Sequence, residues 1–203
     1  MSDFDGRAAT WDQNPLHTER TEVIACDMLK RMEWGPSMRG LEFGAGTGLL
    51  SFRLAPYFER VDAMDVSSEM VKVMHAKVQA LHAPNVFPVC HDLVAAPFCP
   101  GKFDRIFSQM VLHHIADTKA ILSRFYEELK PGGQLALVDL YTEDGSFHGP
   151  DFDGHLGFDT DRLSEWTLQA GFSGVRVFPT YVLRKPVGGE ERTYPLFLLL
   201  ADK

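Results

Sequence analysis

Cysteine is scarce in this chain of 203 residues: there are three, Cys26, Cys90 and Cys99, and no C-x-x-C pair joins any two of them. An odd, scattered set makes no disulfide framework, so buried thiols in a reducing compartment are expected. Basic charge is short as well. The 20 Lys and Arg face 28 Asp and Glu, for a formal net charge of -8, and a field of that sign repels polyphosphate, so no nucleic-acid partner is expected. Long apolar runs are missing too. The longest, Leu196 to Ala201, is far too short to cross a bilayer, and the first seven residues lack the apolar stretch of a secretory signal. A cytoplasmic protein without membrane insertion follows as the expectation, and nothing in the sequence marks an oligomeric state. There is no internal repeat and no low-complexity tract. What is present, 45% hydrophobic and 24% charged residues, fits a single domain over 1–203, with 1–37 as an N-terminal arm and helix.

From about residue 38 onward, short β-prone apolar runs alternate with stretches of helical period, the pattern of a parallel sheet covered by helices. The predicted strands are Met38 to Phe43, Arg60 to Asp65, Val86 to Cys90, Phe103 to Gln109 and Gln134 to Tyr141. Met70, Val71, Met74, Val78 and Leu81 share a helical face after Ser67-Ser68, and Ile121, Phe125 and Leu129 do so after Asp117. The second helix should stop at a turn over Lys130-Pro131-Gly132-Gly133. Ahead of the sheet, Ala25, Met28, Leu29 and Met32 keep helical spacing. A short helix from Thr160 ends at Gly171, and two last runs, Val175 to Leu183 and Tyr194 to Ala201, are joined by too few residues for a parallel crossover, which makes them an antiparallel hairpin. The expected fold is therefore α/β, a doubly wound, seven-stranded, mostly parallel Rossmann-like sheet with a reversed last strand. Thr142 to Asp159 reads as a long rim loop.

The segment Leu41-Glu42-Phe43-Gly44-Ala45-Gly46-Thr47-Gly48-Leu49-Leu50 places glycine at alternate positions between a strand and a helix. Glycine there permits a tight turn and a close approach of backbone to ligand, with N–H groups at the helix start free for a polar or anionic group. Spacing selects the ligand. A dinucleotide fingerprint would put its third glycine at position 49, which is Leu49, so a nicotinamide-dependent oxidoreductase is opposed. Glu42, read as a carboxylate at the mouth of the site, suits an ammonium group better than a pyrophosphate. Asp65 closes the second strand at roughly 20 residues from the loop, the spacing at which a carboxylate accepts from both hydroxyls of a ribose.

Taken together, Glu42-Phe43-Gly44-Ala45-Gly46-Thr47-Gly48, Asp65 and Leu129-Lys130-Pro131-Gly132-Gly133 resemble class I S-adenosylmethionine-dependent methyltransferases, in order and across about residues 38 to 203. The resemblance implies that the loop of Gly44, Ala45, Gly46 and Gly48 holds the methionine part of the cofactor, that Glu42 binds its amino group through water or backbone, and that Asp65, followed by Val66, grips the ribose. It also implies that Asp92 reaches the adenine amino group, with Leu93 close to the ring, and that Phe103 to Ile115, including Gln109, lines the methionine end and opens toward the substrate. No Asn-Pro-Pro-Tyr or Asp-Pro-Pro-Tyr motif stands at Ser108-Gln109-Met110-Val111, which disfavours the subclass that methylates amino groups of DNA or glutamine. The array of cysteines used on arsenite is lacking too. Leu112-His113-His114 resembles the small-molecule branch that includes the ubiquinone and menaquinone methyltransferases.

A sulfonium methyl donor requires mainly that a nucleophile be held in line and water excluded. If the acceptor is a hydroxyl, a base must take its proton, and His113, His114, His148 and His155 are the candidates near the predicted pocket. His113 ranks first, lying directly beyond the fourth strand. His148, Asp151, Asp153 and His155 match no metal-binding spacing, so no metal is expected. The arm from Phe4 to Asp12 resembles one that folds over the cofactor in this branch, with Phe4 and Trp11 as packing residues; an arm pinned outside the sheet is the alternative. The function expected is methyl transfer to a small molecule; a non-catalytic S-adenosylmethionine-binding regulatory module is the other reading.

Overall fold

A computed structural model describes residues 5–98 and 101–203, so Phe4 and Cys99 lie outside the described residues. A 3-10 helix, Asp5–Gln13, leads into helix α1, Pro15–Arg31. Asn14 caps α1 by accepting from Leu16 N, and Pro15 stands where a helix has no N–H to lose. There follow β1 Arg39–Phe43, α2 Leu49–Leu54, β2 Arg60–Asp65, α3 Ser68–Ala80, β3 Val86–Cys90 and β4 Phe103–Gln109. The chain ends with α4 Thr118–Glu128, β5 Leu129–Leu140, α5 Thr160–Gln169, β6 Ser173–Val187 and β7 Glu190–Asp202.

The seven strands lie in the order β3-β2-β1-β4-β5-β7-β6. β1 to β5 pair in parallel, and β7 runs antiparallel to both β5 and β6. The expected reversed last strand is therefore present. Alternation along the strands fills both faces: Ala136, Val138, Leu140, Leu196, Leu198 and Leu200 pack with α1, α2 and α3 on one side. Leu135, Leu137, Phe197, Leu199 and Ala201 pack with α4 and α5 on the other. Each large apolar side chain fully buried this way contributes about 1.5–3 kcal/mol.

Two expectations need correction. Lys130-Pro131-Gly132-Gly133 is not a turn ahead of the strand but the irregular start of β5. Leu129 pairs with Phe103 and Gln134 with Arg105, so β5 spends extra residues here; Gly132, at φ +77°, donates its N–H to Lys203 O, and Lys203 N donates to Gly133 O. The glycines accommodate a bulge that ties down the C-terminus. The two described thiols are not fully buried either. Cys26 is partly buried and Cys90 exposed, because β3 is the edge strand and its last residue has no neighbour on one side.

Candidate active site

The chain leaves β1 through a bend in which Gly44, Gly46 and Gly48 all adopt left-handed φ, +69°, +56° and +81°. A Cβ on Gly44 would lie 2.4 Å from Val111 Cγ2, so that position is closed by the segment beyond β4. Gly46 differs. Its nearest neighbour would be the Trp11 indole nitrogen at 4.0 Å, so the bend faces open space roofed by the N-terminal arm. Ala45 N donates to Met64 O and Gly48 N to Ala45 O, each at 2.8 Å, which fixes the bend against β2.

Glu42 is not at the mouth. Alternation along β1 turns it opposite to Leu41 and Phe43, beneath the bend and toward α2, where it is fully buried. Its Oε2 accepts from Ser51 Oγ at 2.5 Å, while Oε1 is buried without a partner. Desolvation pushes its carboxyl up from about 4.5 to about 8. Such a buried, half-satisfied acid keeps its proton until a cation arrives beside Oε1, whose charge would favour the carboxylate.

Asp65 sits at the end of β2, with Oδ2 accepting from Gly46 N at 2.7 Å and Oδ1 from Ser67 N at 2.8 Å. Burial raises its pKa above the usual carboxylate value. Each oxygen keeps a lone pair for a further donor. Val66, next to it, is 57% exposed, an apolar surface beside the acid. Asp92 is exposed, and its Oδ1 caps the following turn by accepting from Val94 N and Ala95 N. Leu93 departs from the expectation: it is fully buried in the apolar cluster on the α4 side, a packing residue and not an open ring contact. Gln109 is tied to α1, its Nε2 donating to Thr21 Oγ1 at 3.1 Å. Met110 follows at φ +58°, a strained conformation for a side-chain-bearing residue, held by its N–H to Val138 O.

His113 is 1% exposed, in a 3-10 turn beyond β4. Asp139, fully buried at the end of β5, accepts from His113 N at 3.1 Å and from His113 Nδ1 at 2.7 Å. That pair fixes the tautomer and leaves Nε2 as the proton-accepting nitrogen. His148 Nε2 donates to it at 3.0 Å. His148 is exposed, and desolvation together with the nearby His113 and Lys185 lowers its pKa to about 4; His114 is likewise lowered to about 4, chiefly by desolvation. His155 serves the loop: its N–H reaches His113 O, and its ring bonds Thr118 Oγ1 and Ile115 O. Residues 142–159 are pinned by these bonds and by Thr142 N to Phe158 O.

The arm lies over the cleft. Asp12 accepts from Thr47 Oγ1 at 2.5 Å and pairs with Lys77 at 2.8 Å, and Asp5 accepts from Ser67 Oγ at 2.5 Å. It therefore bridges the glycine bend and the start of α3, not the outside of the sheet.

A methyltransferase-domain family model matches residues 41–133, from the last residues of β1 into the bulge of β5. An uncharacterised methyltransferase of Schizosaccharomyces pombe is 33% identical over 128 residues, 58% of this chain and 45% of that protein. A ubiquinone biosynthesis O-methyltransferase of Xanthomonas campestris is 32% identical over 143 residues, 68% of this chain and 58% of that protein. The crystal structure of an S-adenosylmethionine-dependent methyltransferase from Aquifex aeolicus superposes with a TM-score of 0.71, at 21% identity, over 98% of this chain and 97% of that one. Residues 41–133 thus match a methyltransferase domain, and the chain has the fold of these methyltransferase structures. It spans about half the length of the curated relatives it matches.

The unpaired Glu42 Oε1 behind the bend is a buried acceptor that an ammonium group, such as that of S-adenosylmethionine, would fit. Sequence reading missed three further polar residues, Asp139, Arg20 and Thr47. Asp139 left a signal, an acid in the apolar run Leu135 to Leu140. Arg20 left none within α1. Thr47, the arm's anchor, is hidden among glycines. His113, His114 and His148 each bring one ring nitrogen within 4.8 Å of the others, a set able to ligate an ion that the spacing of the sequence did not reveal. Among the described residues no helix is long and apolar enough to cross a membrane.

Proposed function

We propose that this methyltransferase moves the methyl group of S-adenosylmethionine to a small-molecule acceptor. The observation that carries the reading is the buried Glu42 Oε1, without a partner, beneath a glycine bend that is open only at Gly46. Glu42 takes the amino group, the bend of Gly44, Ala45, Gly46 and Gly48 lets the amino-acid end approach the backbone closely, Asp65 takes the ribose hydroxyls, and Val66 and Asp92 flank the base. Gln109 closes the methionine end; Leu93 supports the adenine side from the core. When bound, the cofactor supplies an electrophilic methyl group on a sulfonium, so the chain's work is to position, to shield and to move one proton.

His113 is the base. Asp139 orients its ring and steadies the charge it acquires, and Nε2 receives the proton of the acceptor once that group takes the place of His148. His148 stands on the rim loop between Gly145 and Gly149, both at positive φ, where it can give way. Trp11 and the rest of the arm exclude water from the cleft.

The test is to incubate the protein with isotopically labelled S-adenosylmethionine and a panel of phenols, amines and thiols, and to follow label and S-adenosylhomocysteine by mass spectrometry. Transfer that collapses in His113→Gln supports the reading. Tight cofactor binding with no transfer to any acceptor favours a regulatory module instead.

A further inference from the structure

Arg20 is a buried charge with no counter-charge. It lies on α1, is 8% exposed, and its Nε has no hydrogen-bond partner. Among the described residues no carboxylate pairs with it. The acids and phenol whose fields reach it are Asp139 and Tyr181, and both are engaged elsewhere. Asp139 accepts from His113 N, His113 Nδ1 and Leu140 N, and the Tyr181 hydroxyl donates to Glu19 Oε1. Burial lowers the pKa of Arg20 only to about 10, so it is a cation at neutral pH.

A guanidinium taken out of water without a partner costs several kcal/mol, and a sequence under no other demand would place an apolar side chain there. Its position indicates the demand. The next residue, Thr21, is bonded to Gln109 at the carboxyl end of β4, and the field of Asp139, near the end of β5, reaches Arg20, so α1 brings the guanidinium to the side of the sheet where β4 and β5 end.

We infer that the acceptor is a small organic anion whose carboxylate or phosphate is received by Arg20, which sets its nucleophilic atom toward His113. This rests on the methyl-transfer reading and names its substrate class. The planar fork of Arg matches either oxyanion with two parallel hydrogen bonds, which a lysine at this place could not supply.

The test uses the full chain saturated with S-adenosylhomocysteine, titrated with benzoate, phenyl phosphate and the neutral benzamide, in wild type, Arg20→Met and Arg20→Lys. The wild type is expected to bind one of the two anions at least about tenfold more tightly than benzamide, the preference between them telling carboxylate from phosphate. Arg20→Met should abolish that preference while binding S-adenosylhomocysteine as the wild type does, and should melt at a higher temperature in the absence of anion, since the unpaired charge is gone. Arg20→Lys should restore part of the preference. Equal affinity for anions and benzamide, or a preference that survives in Arg20→Met, overturns the inference. Failure of S-adenosylhomocysteine to bind the wild type overturns the methyl-transfer reading instead.

Discussion

Glu42 ties the stability of the fold to pH. Its carboxyl titrates near 8 in the folded chain, against about 4.5 when unfolded. The folded form therefore holds a proton that the unfolded chain releases, so the contribution is complete below about 4.5 and is lost as pH rises through 8, at about 1.4 kcal/mol per unit. Glu42→Gln keeps a partner for Ser51 but removes the titration. Thermal midpoints measured from about pH 5 to about pH 8 should fall less steeply in the variant, which should be the more stable protein at the alkaline end; parallel curves would show that Glu42 is not the buried acid described. Asp139 acts differently, through His113. Asp139→Asn should lower kcat by about 10²-fold or more while the KM for S-adenosylmethionine stays near the wild-type value, because the ring loses its fixed tautomer and not the cofactor. An unchanged kcat in steady-state assays would remove His113 from the reaction. At this scale the sequence was legible where backbone conformation makes the demand, as at Gly44, Gly46 and Gly48, whose left-handed φ values leave glycine little competition. It was illegible where a partner lies far along the chain: nothing near His113 announces Asp139, and nothing near Arg20 announces the lack of an acid.

The elements that make the cleft are the bend, the turn after β4 and the arm. Strands β2, β3 and β4 lie where apolar alternation placed them, since each is flanked by turn residues and pairs with a neighbour in register. The bulge at the start of β5 escaped because proline and two glycines read as a turn, while the feature that keeps them in the sheet is Lys203 at the other end of the chain. Leu93 was hard to place for a related reason: a leucine after an acid reads alike whether it faces a ligand or the core, and here it is buried in the core. The arm could be placed only from its contacts. Its anchors, Asp12 with Thr47 and Lys77, are partly exposed and so worth about 1 kcal/mol or less each. Asp12→Ala should speed release of S-adenosylhomocysteine by about threefold to tenfold in stopped-flow tryptophan fluorescence, with Trp11 as a reporter. An unaltered release rate would show that the arm does not cover the bound cofactor.

For the molecule as a whole, the parallel sheet, the reversed last strand and the two apolar layers follow from periodicity and from the short link between β6 and β7. That arrangement sets the glycine bend and His113 at the carboxyl ends of adjacent strands, which is where open α/β sheets bind ligands. The bend, Asp65 and the buried acid beneath it then make one prediction that needs no knowledge of the acceptor. Calorimetric titration of the wild-type chain and of Asp65→Ala with S-adenosylhomocysteine should give one site per chain, with binding weakened by about 1–3 kcal/mol in the variant through loss of the ribose contacts. No heat with the wild type, or equal affinity in both proteins, would contradict the account.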